Sequence, residues 1–219
     1  GQRDLPLFRT WAGKNDQNSR MHWGPDLVTQ YRMADSLGWG MQISWDERPH
    51  TYDTLLYHWI YGEVPLLQTY RDNLGYQELF SNKQSYPAFF NHRLDPKNND
   101  PGIGIQGINM GDGDNWGTWG GYHNWDLQTI MDEPERWEVT AWLTYNAPFQ
   151  NDICPYDFLT ADVAIRRPQQ FKPGPGVHLD WKVVDDDTDE VLQEGTLTTG
   201  SDSLVAIPNV SVYVNGIRK

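Results

Sequence analysis

The stretch LPLFRTWAGKND, residues 5–16, is the part of the chain that decides the expected fold. Its apolar residues, Leu5–Ala12, predict a strand that closes in a polar turn ending at Asp16. A second apolar run, Met41–Trp45, predicts another strand, followed by a polar segment that ends at His50. An acid and an imidazole therefore follow two successive strands at matching places.

A helical pattern separates these two predicted strands. Pro25 suits a first helical turn, and apolar residues recur at helical spacing from Leu27 to Leu37. Gly38 is placed to end the helix. One helix between two strands is the connection that parallel neighbours require. Two further helices are predicted over 51–61 and 64–74, so residues 1–84 are predicted to be α/β.

From residue 85 the pattern changes to an alternation of apolar and polar residues. Segments 137–145, 177–183 and 210–214 alternate with a period of two, which is typical of half-buried strands. The acidic run Asp185–Asp189 predicts a hairpin tip between two strands. We therefore expect two domains: 1–84, and an antiparallel β-sandwich over 85–219.

Composition excludes several classes of partner. The net charge is −13, with 30 acidic residues against 17 Lys and Arg, which argues against nucleic acid and anionic membrane as main partners. The single cysteine excludes an internal disulfide. No apolar stretch reaches the roughly 18 residues that a membrane span needs. The acidic balance fits an extracellular or cell-surface protein, which is the expected location.

The first 62 residues resemble the C-terminal part of the α/β-hydrolase superfamily. The match is nearest to secreted bacterial esterases and their prolyl-oligopeptidase-like relatives, in which the triad runs Ser, then Asp or Glu, then His along the chain. The resemblance implies Asp16 as the acid and His50 as the general base. Asp16 would then hold the imidazole tautomer and stabilise the imidazolium.

Other acids and histidines compete for these roles. The alternative is that Asp16 only caps a turn and that His50 is an ordinary loop histidine. None of the competing residues stands in the same position after a predicted strand as Asp16 and His50 do. The competitors are Asp46, Glu47, Asp53, His22, His58, His92, His123 and His178.

The nucleophile of such a triad is absent from these residues. None of the serines lies in a G-x-S-x-G elbow, and Cys154 lacks one as well. We therefore expect the chain to supply only the acid and the histidine of a serine hydrolase and to be inactive alone. The expected partner is a missing N-terminal hydrolase segment or another subunit, which would also cover residues 1–62.

In their alternating pattern of aromatic and polar residues, residues 85–219 are similar to the β-sandwich that follows some secreted bacterial hydrolase domains. Within them, Trp116, Trp119 and Trp125 lie in a glycine-rich stretch and are candidates for stacking on sugar rings. The alternative is that these rings cover a domain interface. A second functional hypothesis follows, namely a non-catalytic module that binds polysaccharide or forms a surface assembly.

An acidic turn in the same stretch is a candidate cation site. Asp112 and Asp114 alternate with glycines and offer oxygen ligands for a structural calcium ion, although the EF-hand pattern is not completed. The alternative is a pair of solvated turns. No other cofactor is expected.

Overall fold

A computed structural model of the chain describes residues 8–15, 27–49, 83–92, 117–120, 122–143, 154 and 156–214. These residues form ten strands and one helix. The elements are β1 (Phe8–Asn15), α1 (Thr29–Ser36), β2 (Met41–Pro49), β3 (Tyr86–Phe90), β4 (Gly117–Trp119), β5 (His123–Glu133), β6 (Arg136–Leu143), β7 (Phe158–Arg166), β8 (His178–Val184), β9 (Val191–Thr198) and β10 (Ala206–Tyr213).

The predicted strand–helix–strand unit is present locally. β1 and β2 are parallel neighbours, with α1 between them in sequence. Gly38 ends the helical segment with a positive φ of 67°, a conformation that glycine adopts at little cost. Tyr31 and Ala34 are the buried residues of α1, so the helix packs its apolar face and leaves the other exposed.

The predicted α/β fold class is nevertheless wrong. The described residues form mostly antiparallel strands with a single short helix. β2 is paired on its other side with β4, which runs antiparallel to it and comes from far along the chain. Because this edge of the described sheet takes an antiparallel strand, the unit does not extend into a parallel α/β sheet. The helices predicted over 51–61 and 64–74 lie outside the described residues.

Within the described residues, the alternating segments are strands, as predicted. β10, β7 and β3 form an antiparallel sheet, and two hairpins, β5–β6 and β8–β9, complete the antiparallel part. The acidic run is the tip of β8–β9, where Asp185 Oδ1 accepts backbone N–H bonds from Asp187 and Thr188 at 2.9 and 2.8 Å. These two bonds favour the carboxylate and lower the pKa of Asp185.

Two hydrophobic clusters cover the same sheet at different places. One joins Phe89 and Val163 to Trp125 of β5 and Leu143 of β6. The other joins Ile165, Phe171 and Val205, with Leu179 and Leu197 of the β8–β9 hairpin packed against it. The sheet β10–β7–β3 is therefore the layer on which both hairpins lie.

Hydrogen bonds link residues on either side of the predicted boundary at 84/85. Gln42 Nε2 donates to the carbonyl oxygen of His123 at 2.8 Å, and Arg166 Nη2 donates to that of Gly38 at 2.6 Å. Both donor side chains are buried. The division into two domains remains a prediction. Among the described residues, no helix has the length and apolar character needed to cross a membrane.

Candidate functional site

The strands that lead to the predicted acid and histidine run side by side. The parallel register begins at Phe8 opposite Met41 and ends at Asn15 opposite Pro49. The register shifts between Gly13 and Asn15, and the last residues of the two strands are still paired with each other. Asp16 and His50 are the next residues in the sequence, and both lie outside the described residues.

The structure describes two of the three tryptophans that are candidates for stacking on sugar rings. Trp119 is 7% exposed and packs with Ile43 and Trp45, while Trp125 is 2% exposed and lies 6.0 Å from Phe89 between ring centroids. Rings buried in this way lack the open face that stacking on a sugar needs. Trp116 lies outside the described residues.

The candidate calcium ligands Asp112 and Asp114 lie outside the described residues as well. Within the described part of the chain, no group of three or more His, Cys, Asp or Glu side chains is arranged to hold a metal ion. The calcium site therefore remains a prediction.

A buried histidine pair, which sequence reasoning placed only among the competitors, lies where β2, β3 and β5 meet. His92 and His123 are 7% and 1% exposed, and their ring centroids are 5.1 Å apart. His92 Nε2 donates to the carbonyl oxygen of Met41 at 3.1 Å, which places the proton on that nitrogen. Phe89 stacks on His123 at 4.9 Å.

Burial controls the protonation of His92. Loss of hydration lowers the pKa of His92, and the charges of Asp35 and Asp162 oppose this effect only in part. Asp35 is itself engaged, because its Oδ1 accepts the backbone N–H of Asn91 at 2.5 Å. His92 is thus a neutral core residue that joins β2 to the end of β3, and the two rings serve packing.

A large cleft lies between the β8–β9 hairpin and the sheet. Its volume is about 1160 Å³, slightly above the range typical of ligand pockets. Its lining is more apolar than polar, and its principal apolar residues are Leu179, Trp181 and Leu197 from the hairpin and Val163, Ile165 and Ile207 from the sheet.

Two contacts hold the hairpin over the sheet beside this cleft. Gln193 Nε2 donates to the carbonyl oxygen of Asn209 at 2.9 Å, and Gln193 Oε1 accepts the backbone N–H of Ser211 at 2.9 Å. One glutamine side chain therefore satisfies both backbone groups where the register of β10 shifts. The alternation of 177–183 predicted an apolar face, but no sequence signal indicated that a gap lies beneath it.

Comparison with known proteins identified no relative of this chain. No family model, no curated protein and no solved structure matches this chain.

Proposed function

We propose that this chain supplies the acid and the histidine of a serine-type hydrolase, with Asp16 as the acid and His50 as the general base. The observation that supports this most is the paired end of β1 and β2 at Asn15 and Pro49. Residues that directly follow two paired parallel strands start from the same edge of the sheet. An acid and an imidazole there are suited to form one hydrogen-bonded pair.

The chemistry assigned to the pair is proton transfer. His50 would take a proton from a serine hydroxyl and later give it to the leaving group, while Asp16 would orient the ring and stabilise its charged form. The serine must come from residues outside this chain, because none of its own lies in a nucleophile elbow. Ester and peptide bonds are both open as substrates.

This proposal does not depend on the α/β class that the structure contradicts. Catalytic triads are defined by geometry and role, and they recur on unrelated folds. What it requires is the parallel pair β1–β2 with the acid and histidine that follow it. The antiparallel strands would then form an accessory part.

The test is an activity measurement on the protein encoded by the whole reading frame. With p-nitrophenyl esters and peptide anilides as substrates, Asp16→Asn is expected to lower kcat by about 10⁴-fold, and His50→Ala by about 10⁶-fold. The matched controls are His58→Ala and Asp53→Asn, another histidine and acid of the same region, which should leave kcat near the wild-type value. Equal losses in both pairs, or no hydrolysis by the wild-type protein, would contradict the proposal.

A second candidate is a non-catalytic extracellular module that binds polysaccharide, supported by the antiparallel β content of the described residues. Because Trp119 and Trp125 are buried, Trp116 is the informative member of the three. Affinity electrophoresis on a panel of polysaccharides should show retardation that Trp116→Ala abolishes. No retardation on any polysaccharide would count against this candidate.

A further inference from the structure

We propose that the cleft between the β8–β9 hairpin and the sheet β10–β7–β3 binds a small ligand that has an apolar body and no negative charge. The proposal concerns residues that play no part in the Asp16–His50 pair, so either can fail without the other. It rests on the size of the cleft, the chemistry of its walls and the charge at its margin.

The size of the cleft separates it from an ordinary packing gap. Two sheets that pack face to face interdigitate their side chains and leave few voids larger than a water molecule. Here Leu179 and Leu197 reach the sheet cluster, yet Trp181 and Ile207 remain only half-buried on facing walls. A space of about 1160 Å³ lies between these walls.

The hairpin turns its apolar side toward the space. Leu179 is opposite Leu197, and Trp181 is opposite Gly195, so these side chains share one face of the hairpin. A Cβ atom added to Gly195 would lie 2.9 Å from the indole of Trp181, which shows that the ring lies against that glycine. Glycine therefore leaves room for a flat aromatic surface beside the cleft.

The charged residues of the hairpin lie at the margin of the cleft. Asp180, Lys182 and Glu194 alternate with the apolar set and are exposed. The lining includes a few polar residues such as Thr196 and Ser211, but it is more apolar than polar. Some of the hydroxyls of a sugar would therefore lack partners there, and this costs free energy. An apolar ligand body is therefore favoured over a glycan in this cleft.

The charges around the margin disfavour an anionic ligand. The acidic residues that border the cleft outnumber the basic ones, namely Glu135, Glu138, Asp180, Asp189 and Glu194 against Arg136 and Lys182. Arg136 is already paired with Glu138. A carboxylate or phosphate head group would face this acidic excess, so a head group without negative charge is preferred.

The experiment uses the 219-residue chain and the neutral fluorophore N-phenyl-1-naphthylamine as the probe. We expect a saturable rise in probe fluorescence. 1-Decanol should displace the probe at a concentration at least about tenfold below that of decanoate, because the two differ only in the charge of the head group. Equal displacement by both would overturn the preference for a ligand without negative charge, and an absence of saturable binding would overturn the site.

Two variants locate the probe. Ile207→Trp places a larger side chain in the cleft and should weaken probe binding by about tenfold or more. Phe158→Ala removes an exposed aromatic residue of β7 that does not line the cleft, and it should leave binding unchanged. The reverse result, or unchanged binding in a folded Ile207→Trp protein, would place the probe elsewhere and contradict the proposal.

A measurement without substitution keeps the test decisive if Ile207→Trp fails to fold. Hydrogen exchange should be measured with and without 1-decanol. The amides of β8 and β9, which close the cleft, should exchange more slowly when 1-decanol is present. The strands β1 and β2, which contribute no residue to the cleft, should show no comparable change. Protection of β1 and β2 in place of β8 and β9 would contradict the assignment.

Discussion

Asn15 and Pro49 are paired at the end of the parallel strands β1 and β2. The pairing matters because Asp16 and His50 are the next residue on each strand. In the sequence these two residues are 34 positions apart, and only the parallel pairing brings the strands that lead to them together. The proposed acid–base pair rests on this local geometry, and the fold around it differs from the expected one.

Gly120 is expected to tolerate no side chain, because two costs combine there. Its φ is +69°, and an added Cβ would lie 2.2 Å from His92 Cε1. Gly120→Ala should therefore lower the free energy of unfolding by about 2–4 kcal/mol, measured by urea denaturation, through backbone strain and overpacking.

Gly176 offers a matched control for the strain alone. Its φ is +73°, and an added Cβ would meet nothing within 4 Å. Gly176→Ala should cost only about 1–2 kcal/mol. Equal losses in the two variants would show that His92 does not lie against Gly120.

Stability should depend on pH through His92. Because burial lowers the pKa of His92 below the ordinary 6.5, the unfolded chain takes up a proton at a higher pH than the folded protein does. The free energy of unfolding should therefore fall as the pH drops below about 6.5, by at most about 1.4 kcal/mol per pH unit, until the folded-state pKa is passed.

Comparison with a variant that changes no titratable group isolates this effect. His92→Gln should weaken the pH dependence of the unfolding free energy between neutral pH and mildly acidic pH. Thr196 is exposed on β9, and Thr196→Ala should leave the dependence as in the wild-type protein. A steeper loss of stability in His92→Gln than in the wild type would show that the charged form of His92 is favoured in the folded state.

Asp132 should stabilise the turn that follows β7. Its carboxylate accepts the backbone N–H groups of Gln169, Gln170 and Phe171 at 2.6, 3.1 and 2.8 Å. Asp132→Ala leaves these donors to water and should cost about 2 kcal/mol in thermal or urea unfolding. The neighbouring exposed Glu133, changed to Ala, should cost less than about 0.5 kcal/mol, and an equal cost in both would contradict this role.

Local structure was predictable because local signals specify it. The helix end at Gly38 follows from the freedom of glycine at positive φ, and β8 follows from the alternation that includes Leu179 and Trp181. The tip at Asp185 follows from a short carboxylate that bonds its own backbone. Each of these features depends on residues within a few positions of one another.

Long-range pairing was not predictable, because local signals do not specify which distant strands will pair. No residue near Trp45 indicates that Gly117 will pair with it in the antiparallel direction, so the sheet was assigned to the wrong class. The burial of Trp125 and the contact between His92 and His123 likewise depend on partners far along the chain. Alternation shows that a strand has an apolar face but does not show what covers it.

The histidine titration tests the acid–base pair most directly. The six histidines of the chain can be followed by NMR as a function of pH in the wild type, in Asp16→Asn and in the control Asp53→Asn. If Asp16 faces His50, removal of its charge should lower the pKa of the His50 ring by about one unit or more, while Asp53→Asn leaves it in place. An unchanged His50 titration in Asp16→Asn would contradict the proposed pair.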